Sequence, residues 1–531
     1  MDIYNKIEQS VLGLNSVDEK FREELEEAKK YYEFYEGRVN LKDDKEDNRG
    51  QLWKVNTDDY TPTREIRNIT KKLLKKQKRF MTSVKPDLII KSIDGANIDR
   101  VDNKKAIINK ILSDGGFWNK FSKAFLDCTI GKRVMLCLIT DIDKNNNVLS
   151  ENPIKFRFYT IPEFIYEFDP NDCEKLIKVQ IAYQDETTIG NIQQEQRWHR
   201  WTYEMKDDEC WATYQVVDGV GTQAFIEAVN EDTGEKEKQD IKESWNTGLS
   251  QIPCKVIFND PTTGDIKGHS DIKDLMDMAM DYNRTVSDYR DALKFRMFEQ
   301  DVFVNADPQS IDNIKIAPGS MVDLKGDPAM GSADGSIPTP SYGKLASSFN
   351  FQSAADSYLN ALKKDMYEIM DQPLPESLVN VASGKALRML NDDLIARCEE
   401  KWQEWDNALY WLINLIIEAV DKFKLYRDVE GIEDLNLNTS LNIYHNYPIP
   451  DDEIETKTLA MKEVEANVRS HQSYIRDFGE AQEADKEFEE ILEEQDKINM
   501  TLNGSSGLND FNLDTEDDEN NEDGEGSEYD E

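Results

Sequence analysis

Residues 268–291 read GHSDIKDLMDMAMDYNRTVSDYRD. From Ser270 to about Phe298, Ile272, Leu275, Ala279, Tyr282, Val286, Tyr289 and Leu293 return every three or four residues, the spacing of one helix face. Asp271, Asp274, Asp277, Asp281 and Asp288 recur at helical spacing on a different stripe. The segment therefore predicts a long helix with one apolar face and one column of carboxylates. On composition alone such a column is a solvated helix face. Its setting is what singles it out, because the elements around it come in an unusual order.

Downstream, a Pro- and Gly-dotted stretch interrupts the helices, with short strand candidates at Val302–Asn305 and Ser320–Leu324. Helix resumes from Ser347 to about Asp371, with Phe351, Ala355, Tyr358, Leu362, Met366 and Ile369 on one side. Pro373 and Pro375 end it, since proline lacks the amide donor and clashes with the preceding turn. A short loop through Asn380 and Ser383-Gly384 leads into a very long helix, from near Lys385 towards Phe423, carrying Trp402, Trp405 and Trp411. Lys422 and Lys424 at its end suit the helix dipole. Beyond Pro448 and Pro450, Asp452 and Glu455 resemble a capping box and Ser470 is a second N-cap, with charged helix to about Lys497. From Asp514 onward there are eleven Asp or Glu and no Lys or Arg, a composition that cannot bury a core and predicts disorder.

Upstream, residues 17–36 place Phe21, Leu25, Ala28, Tyr32 and Tyr35 on one helix face. Pro62 is expected to open a second helix, with Ile66, Ile69, Leu73 and Leu74 on its apolar side. The same helix carries Arg67, Lys71, Lys72, Lys75, Lys76, Lys78 and Arg79. Val134–Ile139 and Ile177–Tyr183 read as strands, Asn145-Asn146-Asn147 as a hairpin turn, and Trp198–Val217 as further sheet. The chain is thus expected to be α+β and mainly helical, with its mixed part ending near Gly268.

The 531 residues suffice for two to four compact units. A formal net charge of −42 opposes wrapping nucleic acid by counterion release, which needs clustered Lys and Arg. The opening residues carry Asp2, Lys6 and Glu8 among the apolar ones, which argues against a secretory signal. The longest apolar-rich run, Tyr410–Val420, is interrupted by Asn414 and Glu418 and is too short to span a bilayer. Six scattered cysteines with no CxxC pair read as free thiols of a reducing cytoplasm, and four distant histidines announce no metal site.

Fragments of catalytic motifs fail on inspection. Gly131-Lys132 lacks the glycine five positions earlier, and Arg133 stands where a P-loop has Ser or Thr. Asp141, Asp143 and Asn145 begin like a calcium loop, but Asn146 and Asn152 occupy the positions that need Gly and Glu, so a hairpin turn is the better reading. The cations between Arg64 and Arg79 are expected to pair with an acidic neighbour rather than to meet nucleic acid or lipid. No nucleophile elbow or Ser/His/Asp order is present, so no catalytic residue, cofactor or metal is assigned.

Several stretches, in order, resemble the portal proteins of tailed bacteriophages, especially those of phages of Gram-positive hosts. They are YYEFYEG at 31–37, RNITKKLLKKQKRFMTSVKP at 67–86, YTIPEFIYEFDPNDCEKLIKVQIAY at 159–183, the 268–291 helix, ASGKALRML at 382–390 and YPIPDDEIETKTLAMKEVEANVRSHQSYI near the C-terminus. The resemblance implies a closed cyclic ring of about twelve subunits around a channel for double-stranded DNA. It implies a wing from 1–267 plus the long helix at 385–424, a stem at 268–300 and 345–371, a clip at 301–344, a tunnel loop at 372–384 and a crown at 425–502, with 503–531 left as an acidic tail.

The implied work is passive, at one capsid vertex of a virion assembled in the host cytoplasm. The implied partners are terminase, which would hydrolyse the ATP, major capsid and scaffolding proteins, and head–tail adaptors. The acidic stem face (Asp271, Asp274, Asp277, Asp281, Asp288) would repel DNA, and Asn380, Ser383, Gly384 and Lys385 are the loop candidates for touching it. Lys385 has a second reading, as a subunit contact. Two rival readings are an acidic scaffold or adaptor that forms no ring, and an enzyme whose site is assembled between subunits.

Overall fold

The computed structural model describes residues 19–505 except 59, 96, 143–147, 185–197, 218–224, 230–235, 241, 298–299, 313–323, 333, 346–349, 380–383, 450–452 and 479–483. The fold is mixed α and β, about half of it helical. Two compact units divide the chain: residues up to 382 with 386–449, and residues 383–385 with 450 onward.

In the first unit the helices are α1 (Glu19–Glu36), α2 (Ile69–Thr82), α3 (Ile98–Asp114), α4 (Phe117–Gly131), α5 (Asp271–Met297), the single turn α6 (Pro308–Asp312), α7 (Gln352–Ile369), α8 (Gly384–Leu390) and α9 (Asp392–Phe423), with the first residues of α8 assigned to the second unit. The very long helix expected from Lys385 is thus two helices. Between them, the Asn391 N–H is shared between the carbonyls of Leu387 (3.2 Å) and Arg388 (3.0 Å), a tightened turn.

The spine of this unit is α9. Leu394, Cys398, Trp402, Trp405, Ala408, Leu412, Ile416 and Ala419 are buried along it against α4 and the adjoining sheet. Trp402 stacks on Phe121 at 5.4 Å, and Trp405 meets the same ring edge-on at 4.8 Å, both favourable aromatic geometries. The helix ends where Lys424 turns left-handed at φ 50°.

Beside α4 lies a three-stranded sheet in which Arg133–Thr140 runs between Cys254–Phe258 and Ile154–Thr160. Cys137 and Cys254 are directly opposed, with Cα atoms 4.3 Å apart, and are joined as a disulfide. The expectation of free thiols is corrected at this pair, whose 117-residue separation hides a cross-strand register. Cys128, Cys210 and Cys398 are free and buried. A five-stranded antiparallel sheet follows, including Asp172–Gln184, Trp198–Lys206 and Glu209–Val217. Asp207 and Asp208, at φ 50° and 61°, form the tight turn between the last two strands. Ile142 bridges Val148, and Asp141 takes Lys155 Nζ at 2.7 Å, which agrees with a hairpin around the expected turn, whose tip lies outside the described residues.

Pro62 does not open a helix; α2 begins at Ile69, where Asn68 Oδ1 accepts from Lys71 N–H at 3.0 Å. Residues 63–67 instead run extended along α5. The N–H groups of Thr63, Glu65 and Arg67 donate to Asp291, Ser287 Oγ and Asn283 Oδ1 at 3.0–3.1 Å. Every second residue of an extended chain meets every fourth residue of a helix, because the two repeats are nearly equal at about 6.6 and 6.0 Å. This partnering draws the segment out of the helical conformation that its apolar spacing suggests.

The Val302–Asn305 strand candidate is realised as Gln300–Val304, paired with Ser341–Leu345. Residues 320–323 of the other candidate lie outside the described residues, as does Asp452. In the second unit the helices are α10 (Glu453–Glu465), α11 (His471–Phe478) and α12 (Ala484–Ser505). Ser470 Oγ accepts from Ser473 N–H at 3.1 Å, the expected cap. The helix α12 runs a little past the boundary expected at 503, and the acidic segment after it lies outside the described residues.

Asn283→Leu removes the acceptor for the Arg67 N–H and is expected to cost about 1–3 kcal/mol. A lowered urea midpoint against wild type would register it. A change at an exposed position, such as Val55→Ala, should leave that midpoint in place.

Candidate functional site

The segment singled out by sequence becomes one arm of a helical hairpin. Ser270 Oγ accepts from Ile272 N–H at 3.3 Å and donates to Ile130 O at 2.6 Å, so it both starts α5 and ties it to α4. Just before it, Gly268 has φ +74°, and a Cβ there would stand 2.4 Å from the Lys132 carbonyl oxygen; only glycine fits. Over 27 residues α5 extends about 40 Å. Its partner α7 lies antiparallel: Tyr358 donates to Asp281, and Tyr289 meets Phe351 at 6.4 Å. The Gln300–Val304 and Ser341–Leu345 ladder lies in the insert that joins the two helices.

The column of aspartates divides. Asp277 is exposed on α5. Asp274 pairs with His269 Nε2 at 2.8 Å, and Asp288 with Lys54 at 2.8 Å. Asp271 leaves the column: it is wholly buried, and its Oδ1 accepts from Lys401 Nζ at 3.0 Å and Asn259 Nδ2 at 2.8 Å. It therefore cannot repel a ligand at the surface.

Around Asp271 gathers an ionic hub that the sequence reading missed. Lys401 Nζ also donates to Asn259 Oδ1 at 2.8 Å and Asp260 Oδ2 at 2.7 Å. Arg397, one turn earlier, approaches Asp271 at 3.6 Å and donates to Asp371 Oδ2 at 3.1 Å and Ile369 O at 3.2 Å. The hub thus joins the start of α5, the end of α7 and the first turns of α9. A signal for it was present: along Leu394, Cys398, Lys401, Trp405, Ala408 and Leu412, spaced four and three apart, Lys401 is the lone charge in an apolar stripe.

The loop after α7 starts at this hub. Gln372 Nε2 donates to Leu73 O at 2.8 Å, and Lys76 Nζ to Pro373 O at 3.3 Å. Pro375–Leu378 form a 3-10 turn. Asn380 and Ser383 lie outside the described residues; Gly384 and an exposed Lys385 begin α8. Lys132 of the rejected phosphate motif is engaged by Glu27, and Arg133 by Glu24 at 2.8 Å, so both serve packing. Among the described residues, no three His, Cys, Asp or Glu side chains are grouped to hold a metal, and no helix is long and apolar enough to cross a membrane.

The site is thus a long helical hairpin that carries a small sheet in its insert and is rooted in a mixed α/β body. The family model described as phage portal protein, SPP1 Gp6-like, matches residues 14–500, and the chain belongs to this family. Its family is structural, and the protein is associated with the virion. No curated protein matches. Among solved structures, a chain from the virion of native gene transfer agent (GTA) particle is similar at 10% identity and a TM-score of 0.34, over 78% of this chain and 94% of that one.

Burial by itself raises the pKa of Asp271, but the charges of Lys401 and Arg397 and the Asn259 hydrogen bond overrule it and hold the pKa at about 2. A carboxyl depressed in the folded state stabilises above its unfolded value and loses that contribution as pH falls through the folded one. Resistance to urea should therefore drop between about pH 4 and pH 2. Asp271→Asn should lower the urea midpoint at neutral pH, because Lys401 stays buried with one of its two carboxylate partners removed, a loss of at most about 3 kcal/mol, since Asp260 remains. In that variant the acid-side drop should be smaller.

Proposed function

We propose that the chain is the subunit of a ring of about twelve copies at one capsid vertex, through which double-stranded DNA enters and leaves. The family match over residues 14–500 carries this reading. In it, α5 and α7 are the stem, 301–344 the clip, 372–384 a loop facing the channel, 1–267 with 385–424 the wing, and 425–502 the crown. The ring is a passive socket. Terminase docks on it during packaging and head–tail adaptors afterwards, with capsid and scaffolding proteins around it during assembly in the host cytoplasm.

The exposed carboxylates fit this work. Duplex DNA carries one negative charge per about 1.7 Å of axis, and repulsion acts within a Debye length of about 8 Å. The stripe through Asp274, Asp277, Asp281 and Asp288 would keep a passing duplex from adhering, and Asn380, Ser383, Gly384 and Lys385 would meet it at the loop.

Negative-stain images of the purified protein should show closed rings, and its mass should run near roughly 740 kDa, about twelve subunits of 61.3 kDa. A stable monomer at high concentration and physiological salt contradicts the proposal. Bulky replacements at Asn380 and Ser383 should leave rings intact and impair DNA packaging; normal genome yield from such particles would reduce the loop to a connector.

A further inference from the structure

The cationic face of α2 is the part of the molecule that the proposed function leaves unused. On a helical wheel Lys71, Lys72, Lys75, Lys78 and Arg79 fall within about 120° of arc. The opposite face, with Leu73, Leu74, Gln77, Phe80 and Met81, is buried. The sequence reading expected these cations to be neutralised by an acidic neighbour, and only part of that is realised. Lys71 pairs with Glu36 at 3.2 Å and lies over the Tyr35 ring. Lys72 lies 5.8 Å over the Tyr367 ring. Lys75, Lys78 and Arg79 make no side-chain hydrogen bond or ion pair among the described residues, in a chain with 106 acidic residues available. Such an excess of acids makes an unneutralised basic stripe unexpected unless something else neutralises it.

We infer that the exposed stripe of α2 is a contact for the phosphate backbone of duplex DNA. Three observations favour this occupant. First, the stripe adjoins the root of the loop that starts at Gln372: Lys76, on its flank, donates to Pro373 O, and Lys72 lies over Tyr367. This step rests on the proposal that the loop faces the channel. Second, Lys71 to Arg79 spans about 12 Å, the axial reach of three or four phosphates on one strand at about 3.4 Å each. Third, the stripe holds four lysines and one arginine. Protein–protein interfaces are depleted in lysine and enriched in arginine. Lysine keeps its water and meets phosphate as a mobile point charge, without bidentate geometry. That suits a duplex that must slide past. A lipid surface fits poorly, because the apolar side of α2 is already spent in the core.

Repulsion from the acidic surface and attraction at this stripe then divide the work: the first keeps the duplex off the walls, the second holds it weakly beside the loop. Because the contact is electrostatic and touches no base edge, it carries no sequence preference.

The test uses the full chain with Lys75→Gln, Lys78→Gln and Arg79→Gln together, since glutamine keeps the helix propensity of lysine and arginine. A charge-matched control replaces Lys457, Lys462 and Lys497 by glutamine. Ring formation is read by electron microscopy, and binding of a 30-base-pair duplex to the rings by anisotropy across a salt series. The α2 variant should form normal rings, and its plot of log affinity against log salt should flatten by about 2.7, three contacts at about 0.9 each. The control should bind like wild type. Rings that bind duplex with unchanged affinity and slope overturn the inference alone. Loss of rings overturns it too and assigns the stripe to a neighbouring copy, while an equal loss in the control reduces the effect to net charge. Wild-type rings that bind and package no duplex would sink the channel reading itself.

Discussion

The buried contact between Lys401 and Asp271 is the constraint on which the arrangement of the helices depends. Both side chains are out of water and so need partners: Lys401 has Asp271 and Asp260, and Asn259 donates to the first and accepts from the lysine. A pair of this kind is specific more than it is stabilising: apolar residues of similar volume could hold the helices as tightly. What the ions add is position. Apolar faces tolerate sliding and repacking, whereas a buried ammonium and carboxylate tolerate one arrangement. With Arg397 reaching on to Asp371, α9 sets where α5 begins and where α7 ends. The hairpin therefore projects from the body at a fixed point, and the loop after α7 leaves from a fixed root.

Much of this fold was legible in the sequence. The arms of the hairpin and the spine announced themselves because amphipathic helices write their burial into a three-and-four repeat: Ile272, Leu275, Ala279 and Tyr282 face inward as that repeat requires. The strands expected at Val134–Ile139 and Ile177–Tyr183 lie within the longer strands at 133–140 and 172–184, the first of them a continuous buried run. What escaped was decided by partners distant in sequence. Residues 62–68 have the apolar spacing of a helix, and only the acceptors on α5, more than 200 positions away, hold them extended. The Cys137–Cys254 pair depends on a strand register that no spacing rule encodes. Asp271 shares its spacing with the exposed aspartates, yet it lies one helical step round, where Lys401 waits. The hub itself was signalled by one lysine in an apolar stripe.

The candidate site was legible to a smaller degree. Periodicity identified the acidic face of α5 and the proline-bounded loop, since both are local features. It could not tell which carboxylates would be spoken for. Asp274, Asp281 and Asp288 each have a partner, and Asp277 stands exposed. The cations between Arg64 and Arg79 were expected to pair with an acidic neighbour, which Lys71 does with Glu36 and Arg67 with Glu65, but a whole-chain charge balance says nothing about which side chains come within reach of one another. Charge in this protein is organised locally, with firm ion pairs inside and partly matched stripes outside.

The extended segment that runs beside α5 has a mechanical meaning. Its three rungs work like the teeth of a ratchet rack set against a second rack of nearly equal pitch. Moving α5 along its axis by one or two residues would take all three acceptors out of register together, and even a shift of four residues, about 6 Å, would match only two of the three N–H groups, because Phe295 or Ala279 then faces the third. Each of these part-buried N–H groups left unmatched costs at most about 1–3 kcal/mol, so displaced positions form a barrier and not a slope. The helix therefore resists axial load as a detent with a single seat does: it stays in place under modest push or pull. Tension along the hairpin would load the three rungs in shear at the same time, the geometry in which hydrogen bonds share force best.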